Sequence, residues 1–382
     1  MFYSSIVTIL EVNTVSLRLL AFKKSGDFFQ PIHTLSANYD GADYKSFNKP
    51  DKLFSIIQDL FCKLAEKVKF LPSKVYVVLP QTFIITSVAE SEVSIGGKQI
   101  TKRDVDMLCA KCESPDMDYI VIDYTPISFK SINNPIMLNP IGEECSKLYG
   151  TVSVICLEKR IKEFFDTSAK SLKKTFLYVG ESNVSIEKAD KDINLPGAVR
   201  LLINIREEHT SINLCKGKAV LTTKYVDWGA NHIVYALQDL LKIGYLQAKS
   251  LLFKLNLNVN CIDTDVYILN DGDTLAEYNM KAINKRVVDT LNYIADNIKS
   301  EIIALKLENS LPIYVTGSDV CKVRGVKEIF NNALGGEMLT ILEPKRINYE
   351  LAGDYPLVSQ LEKIQTNTSS RIGFYQNTSG RI

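Results

Sequence analysis

"LLINIREEHTSINLCKGKAVL", Leu201 to Leu221, is the stretch whose reading sets the fold. Apolar, β-branched runs flank Arg206-Glu207-Glu208-His209, so it reads as a strand, a tight turn and a second strand. Val199–Arg206, Thr210–Cys215 and Ala219–Val226 then make a three-strand meander. In many nucleotide-binding chains such a turn is glycine, because glycine lets backbone N–H groups approach a phosphate closely. Here it holds four bulky polar residues.

After the meander, Gly229–Lys242 has helical spacing with Ile233, Leu237, Leu240 and Leu241 on its buried side, and Gln247–Leu255 follows as another helix. Ala282–Lys299 is long and periodic through Ile283, Val287, Leu291, Ile294 and Ile298. "LPIYVTGSDVCKVRGVKEIF", Leu311 to Phe330, gives a buried strand, a Gly turn and a helix. Before the meander, Ile6–Val12 and Val15–Lys23 flank Asn13-Thr14 as a hairpin. Asp51–Phe70 is an amphipathic helix striped by Leu53, Ile56, Ile57, Leu60, Leu64 and Val68, and Lys74–Leu79 is a short buried strand. From Thr82 the pattern changes. Phe83–Val88, Tyr119–Tyr124 and Val152–Leu157 read as strands, and a helix to about Lys111 starts at Thr101 with Asp104 three positions on, a variant capping box. This section reads as an inserted α+β subdomain, after which Arg160–Lys173 is helical and Thr175–Val179 restarts a sheet. The whole is an α/β chain whose two halves echo each other, divided at 1–81, 82–158 and 159–364, with a flexible tail at 365–382.

Composition excludes several classes. The 382 residues suffice for two or more domains with real cores. A net charge of +1, with no basic stripe, gives no electrostatic case for nucleic acid. The N-terminal run carries Glu11 and Asn13 and lacks a basic start, so neither a signal peptide nor a membrane span is expected there. Cys62, Cys109, Cys112 and Cys156, in apolar runs, read as free buried thiols. Cys109-Ala-Lys-Cys112 has no second pair at zinc spacing, so a structural reading is preferred to a metal or redox one. His209 reads as a solvated turn residue, since no nucleophile pattern accompanies it, and Trp228 as a packing residue at a strand end.

Several segments together resemble FtsA, the actin-fold family of bacterial cell division. "ITKRDVDMLCAKC" is similar to the helix opening the family's inserted subdomain, and "NPIGEECSKLYGTVSVICLEK" to its Pro-Ile-Gly loop and following strand. "VDWGANHIVYALQDLLK" resembles the helix entry after the second phosphate loop, and "INKRVVDTLNYIADNIKSE" the long helix before the adenosine loop. "LPIYVTGSDVCKVRGVKEIFNNALGG" resembles that loop, and "EPKRINYELAGDYPLVSQLEKI" the closing segment. The resemblance covers roughly Ile6 to Ile364 and implies an actin-like (ribonuclease-H-like) fold of two halves, with the family's subdomain inserted in the first. PilM, of pilus assembly, shares that fold and an inserted subdomain; Asn139–Gly142, Asn-Pro-Ile-Gly, points toward FtsA.

The resemblance also implies where a nucleotide would sit, and there this sequence departs from the pattern. The family's first hairpin is Asp-x-Gly-Thr followed shortly by Lys; here it is Glu11-Val12-Asn13-Thr14, and the lysine is missing. The family's second hairpin is Asp-x-Gly-Gly-Gly-Thr; here it is Asn204 through His209, then Thr210. If that turn kept positive φ, each non-glycine residue would cost ~1–2 kcal/mol. A carboxylate ~5 Å from a phosphate charge would add ~3 kcal/mol at an effective dielectric near ~20. The adenosine loop is Thr316-Gly317-Ser318-Asp319 where the family has Thr-Gly-Gly-Gly, so one glycine survives, and the helix position of a family Ala-Glu pair is Ala248-Lys249. Glu11, Asn13, Thr14, Asn204, Thr210, Gly317 and Ser318 thus form a degenerate nucleotide cleft, with no catalytic residue, no metal ligand and weak or absent ATP/Mg binding expected.

What remains of the family's work is adaptor work. The resemblance implies binding of the FtsZ C-terminal tail on an outer subdomain at about 246–306, self-association, and recruitment of later division proteins through the insert. The tail "KIQTNTSSRIGFYQNTSGRI" lacks the composition of a basic amphipathic helix, so membrane association is expected to be weak or to come through a partner, at the inner face of the cell membrane at the division site. The alternatives are a PilM-like scaffold binding a short peptide of an inner-membrane pilus protein, and an ATP-binding enzyme of the actin superfamily.

Overall fold

Alternating apolar residues in the N-terminal segment build a hairpin of β1 (Ser5–Val12) and β2 (Ser16–Ser25), with Ile9 opposite Leu20 and Leu10 opposite Leu19. A computed structural model of the chain describes residues 5–13, 15–25, 28–39, 47–68, 71–180, 198–271, 274–307, 311–317, 319–334 and 339–342. β3 (Phe28–Asn38) pairs antiparallel with β2 and was not legible as a strand. It contains Pro31, which cannot donate to a ladder and is tolerated because β3 is an edge strand.

α1 (Pro50–Lys67) buries Leu53, Ile57, Leu60, Phe61 and Leu64 against this sheet, and leads to β4 (Lys74–Leu79), parallel to β1. Cys62 lies off that stripe and is exposed, against the expectation of a buried thiol. The chain next leaves the sheet through β5 (Ile84–Gln99), α2 (Lys102–Ala110), β6 (Tyr119–Lys130) and β7 (Glu144–Glu158). These strands form a separate antiparallel sheet in the order β5-β7-β6, with its own core of Leu108, Cys109, Leu148, Val152 and Val154. The capping box of α2 is present: the Asp104 N–H donates to Thr101 Oγ1, and the Thr101 N–H donates to Asp104 Oδ2 at 2.8 Å. Cys109 and Cys112 are buried in this core, and burial pushes the Cys109 thiol up to about 12.

α3 (Lys159–Ser171) and β8 (Thr175–Gly180) follow, and β8 pairs parallel with β4. This corrects the division at residue 159. Both elements complete the first sheet, of order β3-β2-β1-β4-β8, and the first compact unit runs to Ala198 and includes Lys216–Thr222. The second unit takes Val199–Cys215 and continues from Thr223.

In the second unit, β9 (Val199–Ile205), β10 (Thr210–Lys216) and β11 (Ala219–Val226) are neighbours in sequence order. β14 (Ile313–Gly317) pairs parallel with β9, and β15 (Leu339–Ile341) parallel with β14. The order β11-β10-β9-β14-β15 repeats that of the first sheet, three hairpin-linked strands followed by two parallel ones. Between β11 and β14 run α4 (Ala230–Leu241), α5 (Tyr245–Leu252), the two-stranded antiparallel sheet of β12 (Val266–Asp271) and β13 (Thr274–Asn279), and α6 (Met280–Ala304). α7 (Val326–Leu334) joins β14 to β15. The core of this unit gathers Ile233 and Leu237 of α4 with Ile283, Val287, Leu291, Ile294 and Ile298 of α6, whereas Leu240, expected inside, is 41% exposed. Among the described residues no helix is long and apolar enough to cross a membrane. The closing segment from residue 343 and the tail at 365–382 lie outside the described residues.

Candidate functional site

The sequence-predicted cleft residues fall in both units, and each group is set by its own sheet. In the first unit, Glu11 stands near the end of β1 at 2% exposure. The hairpin register puts it directly opposite Arg18, whose Nη1 lies 3.2 Å from Glu11 Oε2. A cation therefore does accompany this acid, where the sequence reading found only a missing lysine. The structure sets this pairing: the turn spans Asn13 to Ser16, wider than the Asn13-Thr14 turn expected, and positions equidistant from it face each other across the strands. A buried carboxylate facing a guanidinium is charge-compensated, so any hydrated cation must compete with Arg18 for it.

Asn13 closes the turn, its N–H donating to the Ser16 carbonyl at 2.9 Å and its side-chain amide to Ser16 Oγ at 3.2 Å. It does not use the left-handed conformation that made asparagine a plausible stand-in for glycine. Thr14 lies outside the described residues.

In the second unit, Asn204 of β9 is fully buried and paired in register with Thr316 of β14. Thr210, also fully buried, donates its hydroxyl to the Trp228 carbonyl at 2.7 Å, which ties β10 to the segment entering α4. Gly317 has φ +127°, and a Cβ there would lie 1.9 Å from the Ile205 carbonyl oxygen. The close approach of β14 to β9 alone requires this glycine, whatever else it does. Ser318 lies outside the described residues.

The charged turn is held by many bonds. The Arg206 N–H donates to the His209 carbonyl at 2.8 Å. None of Arg206, Glu207, Glu208 and His209 has positive φ, so the strain anticipated for a glycine-type turn is not incurred. His209 is 3% exposed, which overturns its reading as a solvated residue. Gly229 forms the seat beneath the turn. Its φ of −143° suits any residue, but a Cβ would meet the Arg206 and Glu207 carbonyl oxygens at 2.4 and 2.7 Å. Those two carbonyls accept hydrogen bonds from the Ala230 and Asn231 N–H groups, at 2.9 and 2.8 Å. The first donors of α4, the groups that a helix end offers an anion, are thus engaged by the turn itself.

The acids of the turn are held as well. Glu208 Oε1 accepts from Asn231 Nδ2 at 2.6 Å and from the Tyr235 hydroxyl at 2.9 Å, and the Tyr245 hydroxyl donates to Asn231 Oδ1 at 2.8 Å. Glu207 Oε1 lies 3.9 Å from Lys249 Nζ. Lys249 is the residue standing where the resemblance placed an acid, so turn and helix carry matched, opposite charges. Partial burial, and then the bond to the Glu208 carboxylate, raise the Tyr235 hydroxyl above its ordinary pKa. Among the described residues no three His, Cys, Asp or Glu side chains gather in a way that could hold a metal ion.

Comparison with models of protein families finds no match, and none of the curated proteins matches the sequence. The structure does have relatives in shape. It is similar to a chain of the PilM-PilN type IV pilus biogenesis complex, at 12% identity over 96% of this chain and 99% of that one, with a TM-score of 0.61. MreB5 of Spiroplasma citri bound to ADP is similar at 10% identity over 96% and 98%, with a TM-score of 0.54. The same protein bound to AMPPNP gives 0.53 at 10% identity over 95% and 98%. Likeness at such identities is one of architecture, and it agrees with the duplicated strand order: this chain has the actin-like ATPase fold.

Proposed function

We propose that this chain is an actin-fold docking scaffold whose nucleotide loops have been converted to structural turns. One observation carries the reading: the Arg206 and Glu207 carbonyls occupy the first N–H donors of α4, where a phosphate cradle would need them open. The pairing of Glu11 with Arg18, and the bonding of Glu207 and Glu208 to groups of α4 and α5, support it. Binding a nucleotide would require breaking these contacts and bringing carboxylates up to a polyphosphate. In this reading the chain has no ATPase turnover, and its work is to hold other proteins.

Two roles give that work content. The segments similar to FtsA support a division adaptor that takes the FtsZ tail, self-associates and gathers later division proteins, reaching the membrane face through a partner. The likeness to PilM in the PilM-PilN complex, over nearly the whole of both chains, supports the second role, a pilus-assembly scaffold bound to a pilus protein.

Calorimetric titration with Mg²⁺-ATP, run beside pulldowns with the matching FtsZ tail and a PilN-type protein, tests both levels. No heat of binding at micromolar ATP is expected, together with capture of one bait. Micromolar ATP affinity would defeat the scaffold reading, and capture of neither bait would defeat both roles.

A further inference from the structure

The segment joining β6 to β7 lies at one end of the insert's sheet. The start of β5 and the end of β7, where the insert joins the rest of the first unit, lie at the other. The segment presents Ile132, Ile136, Leu138 and Ile141 at 80%, 78%, 55% and 50% exposure. These four large aliphatic side chains form an apolar tip that the described residues leave uncovered.

The backbone keeps them outside. The Phe129 and Met137 N–H groups each donate to the other's carbonyl at 2.8 Å, so the segment folds back along β6. Met137 packs against the insert's core, and its neighbours Ile136 and Leu138 point away from that core. The Ser131 N–H donates to the Asn134 carbonyl, and the Ile100 N–H to the Glu143 carbonyl, each at 2.8 Å. The apolar side chains are therefore displayed before any partner arrives, which lowers the ordering cost of binding.

Cations flank the tip. Lys130 ends β6, Lys98 lies near the end of β5, and Lys102 and Arg103 open α2 just past Ile100; all four are exposed. The acids at this end are Asp104, held in the capping box of α2, Glu143, which accepts from Asn134 Nδ2 at 3.3 Å, and Glu144. Lys147 stands here as well, paired with Glu92 at 2.6 Å.

We propose that this tip enters an anionic lipid surface, its aliphatic side chains below the headgroups and its cations among the phosphates. Two features favour a bilayer over a protein as the occupant. The exposed apolar side chains are all aliphatic, whereas the hot spots of protein interfaces are rich in aromatic anchors. They also stand out from a turn, so a rigid partner would need a matching socket, and a fluid bilayer needs none. The flanking cations complement anionic headgroups, each contributing about fivefold to binding when held near the surface. This contact goes beyond the docking reading and does not depend on it; it would add a direct hold on lipid to any made through a partner.

The full-length protein is sedimented with vesicles of phosphatidylcholine containing phosphatidylglycerol, and with vesicles of phosphatidylcholine alone. Binding is expected to the first, and at least about tenfold weaker binding to the second. Ile136→Asp combined with Leu138→Asp should weaken binding at least about tenfold with an unchanged unfolding midpoint, since both side chains are exposed. Lys98→Glu combined with Lys130→Glu should do the same. Ile136→Trp sets an indole at the tip, and acyl-brominated lipid in the anionic vesicles should quench its emission while leaving that of Trp228, the one native tryptophan, unchanged. Should the aspartate pair fail to fold, the charge reversal and the quenching decide. The proposal is overturned by a lack of vesicle binding, by binding that the aspartate pair retains, or by an introduced indole that bromine does not quench. A self-associated species that the aspartate pair abolishes, seen by sedimentation velocity without any vesicle binding, would give the tip to a second copy of the chain and overturn it too. None of these outcomes bears on the ATP titration or on capture of an FtsZ or PilN bait, so the two readings fail separately.

Discussion

Gly317 shows how one residue serves a fold whatever becomes of its chemistry. With φ +127° and the Ile205 backbone where a side chain would begin, alanine fits neither the torsion nor the space. Gly317→Ala is expected to lower stability by about 3 kcal/mol, read as a shift of the chemical-unfolding midpoint with an unchanged slope. The close pairing of β14 with β9 therefore explains this glycine without any ligand. Tyr235 makes a second statement, about pH. Its folded-state pKa lies above 10.0, so the neutral phenol donating to Glu208 stabilises the fold below that value, and this contribution is lost as pH rises through the folded value. In alkaline unfolding series the stability of Tyr235→Phe should fall less steeply above about pH 10 than that of the parent chain. Equal slopes would mean that the Glu208 bond does not hold the proton. Glu11, Asn204, Thr210 and Gly317 could be marked from the sequence as positions of interest. Arg18 could not be marked without the hairpin register, because its partner lies seven residues away in the chain and adjacent in space.

Among the elements, α2 was the most legible, because a capping box is local chemistry. Thr101 and Asp104 need only each other's backbone, and both bonds form. These bonds to Thr101 hold the Asp104 carboxyl below its usual 3.8. A depressed carboxylate stabilises above its unfolded pKa and loses that contribution as pH falls through the folded value. Asp104→Ala should therefore destabilise the insert by about 1 kcal/mol at neutral pH, and the difference should shrink as pH falls below 3.8 and through the folded value, as followed by hydrogen exchange in α2. The elements that escaped the sequence are those whose reasons are non-local. β3 contains a proline that only an edge position excuses, and β12 buries Tyr267 and Leu269 but carries apolar Val266 and Ile268 on its exposed face, so no alternation of apolar and polar residues marks it. β8 looked like the start of a new sheet because nothing local says that β4, nearly a hundred residues earlier, is its neighbour.

Taken whole, the molecule uses one strand order twice, and the turn between β9 and β10 in the second sheet, Arg206–His209, holds no glycine. Ligand linkage tests what the repetition still does. A protein that binds a ligand only when folded gains RT ln(1 + [L]/Kd), about 2.7 kcal/mol at a hundredfold excess over Kd. Millimolar Mg²⁺-ATP is expected to leave the thermal midpoint of this chain unmoved, and a rise of several degrees would mean that the turn opens to admit phosphate. Periodicity and turn composition were enough to read an α/β chain in two echoing halves with an inserted subdomain, because apolar spacing records which face of each segment is buried. They could not say how Arg206–His209 would be accommodated. Read locally, that turn looked strained and its acids placed to face a phosphate. In the folded unit Gly229 makes room for it, the first N–H groups of α4 bind its carbonyls, and Asn231, Tyr235 and Lys249 meet its acids. Those partners lie some twenty to forty residues downstream. Hydrogen bonds and charge pairs act over a few ångströms of space with no regard for chain distance, so the meaning of the turn was fixed only when the helices came to rest on it.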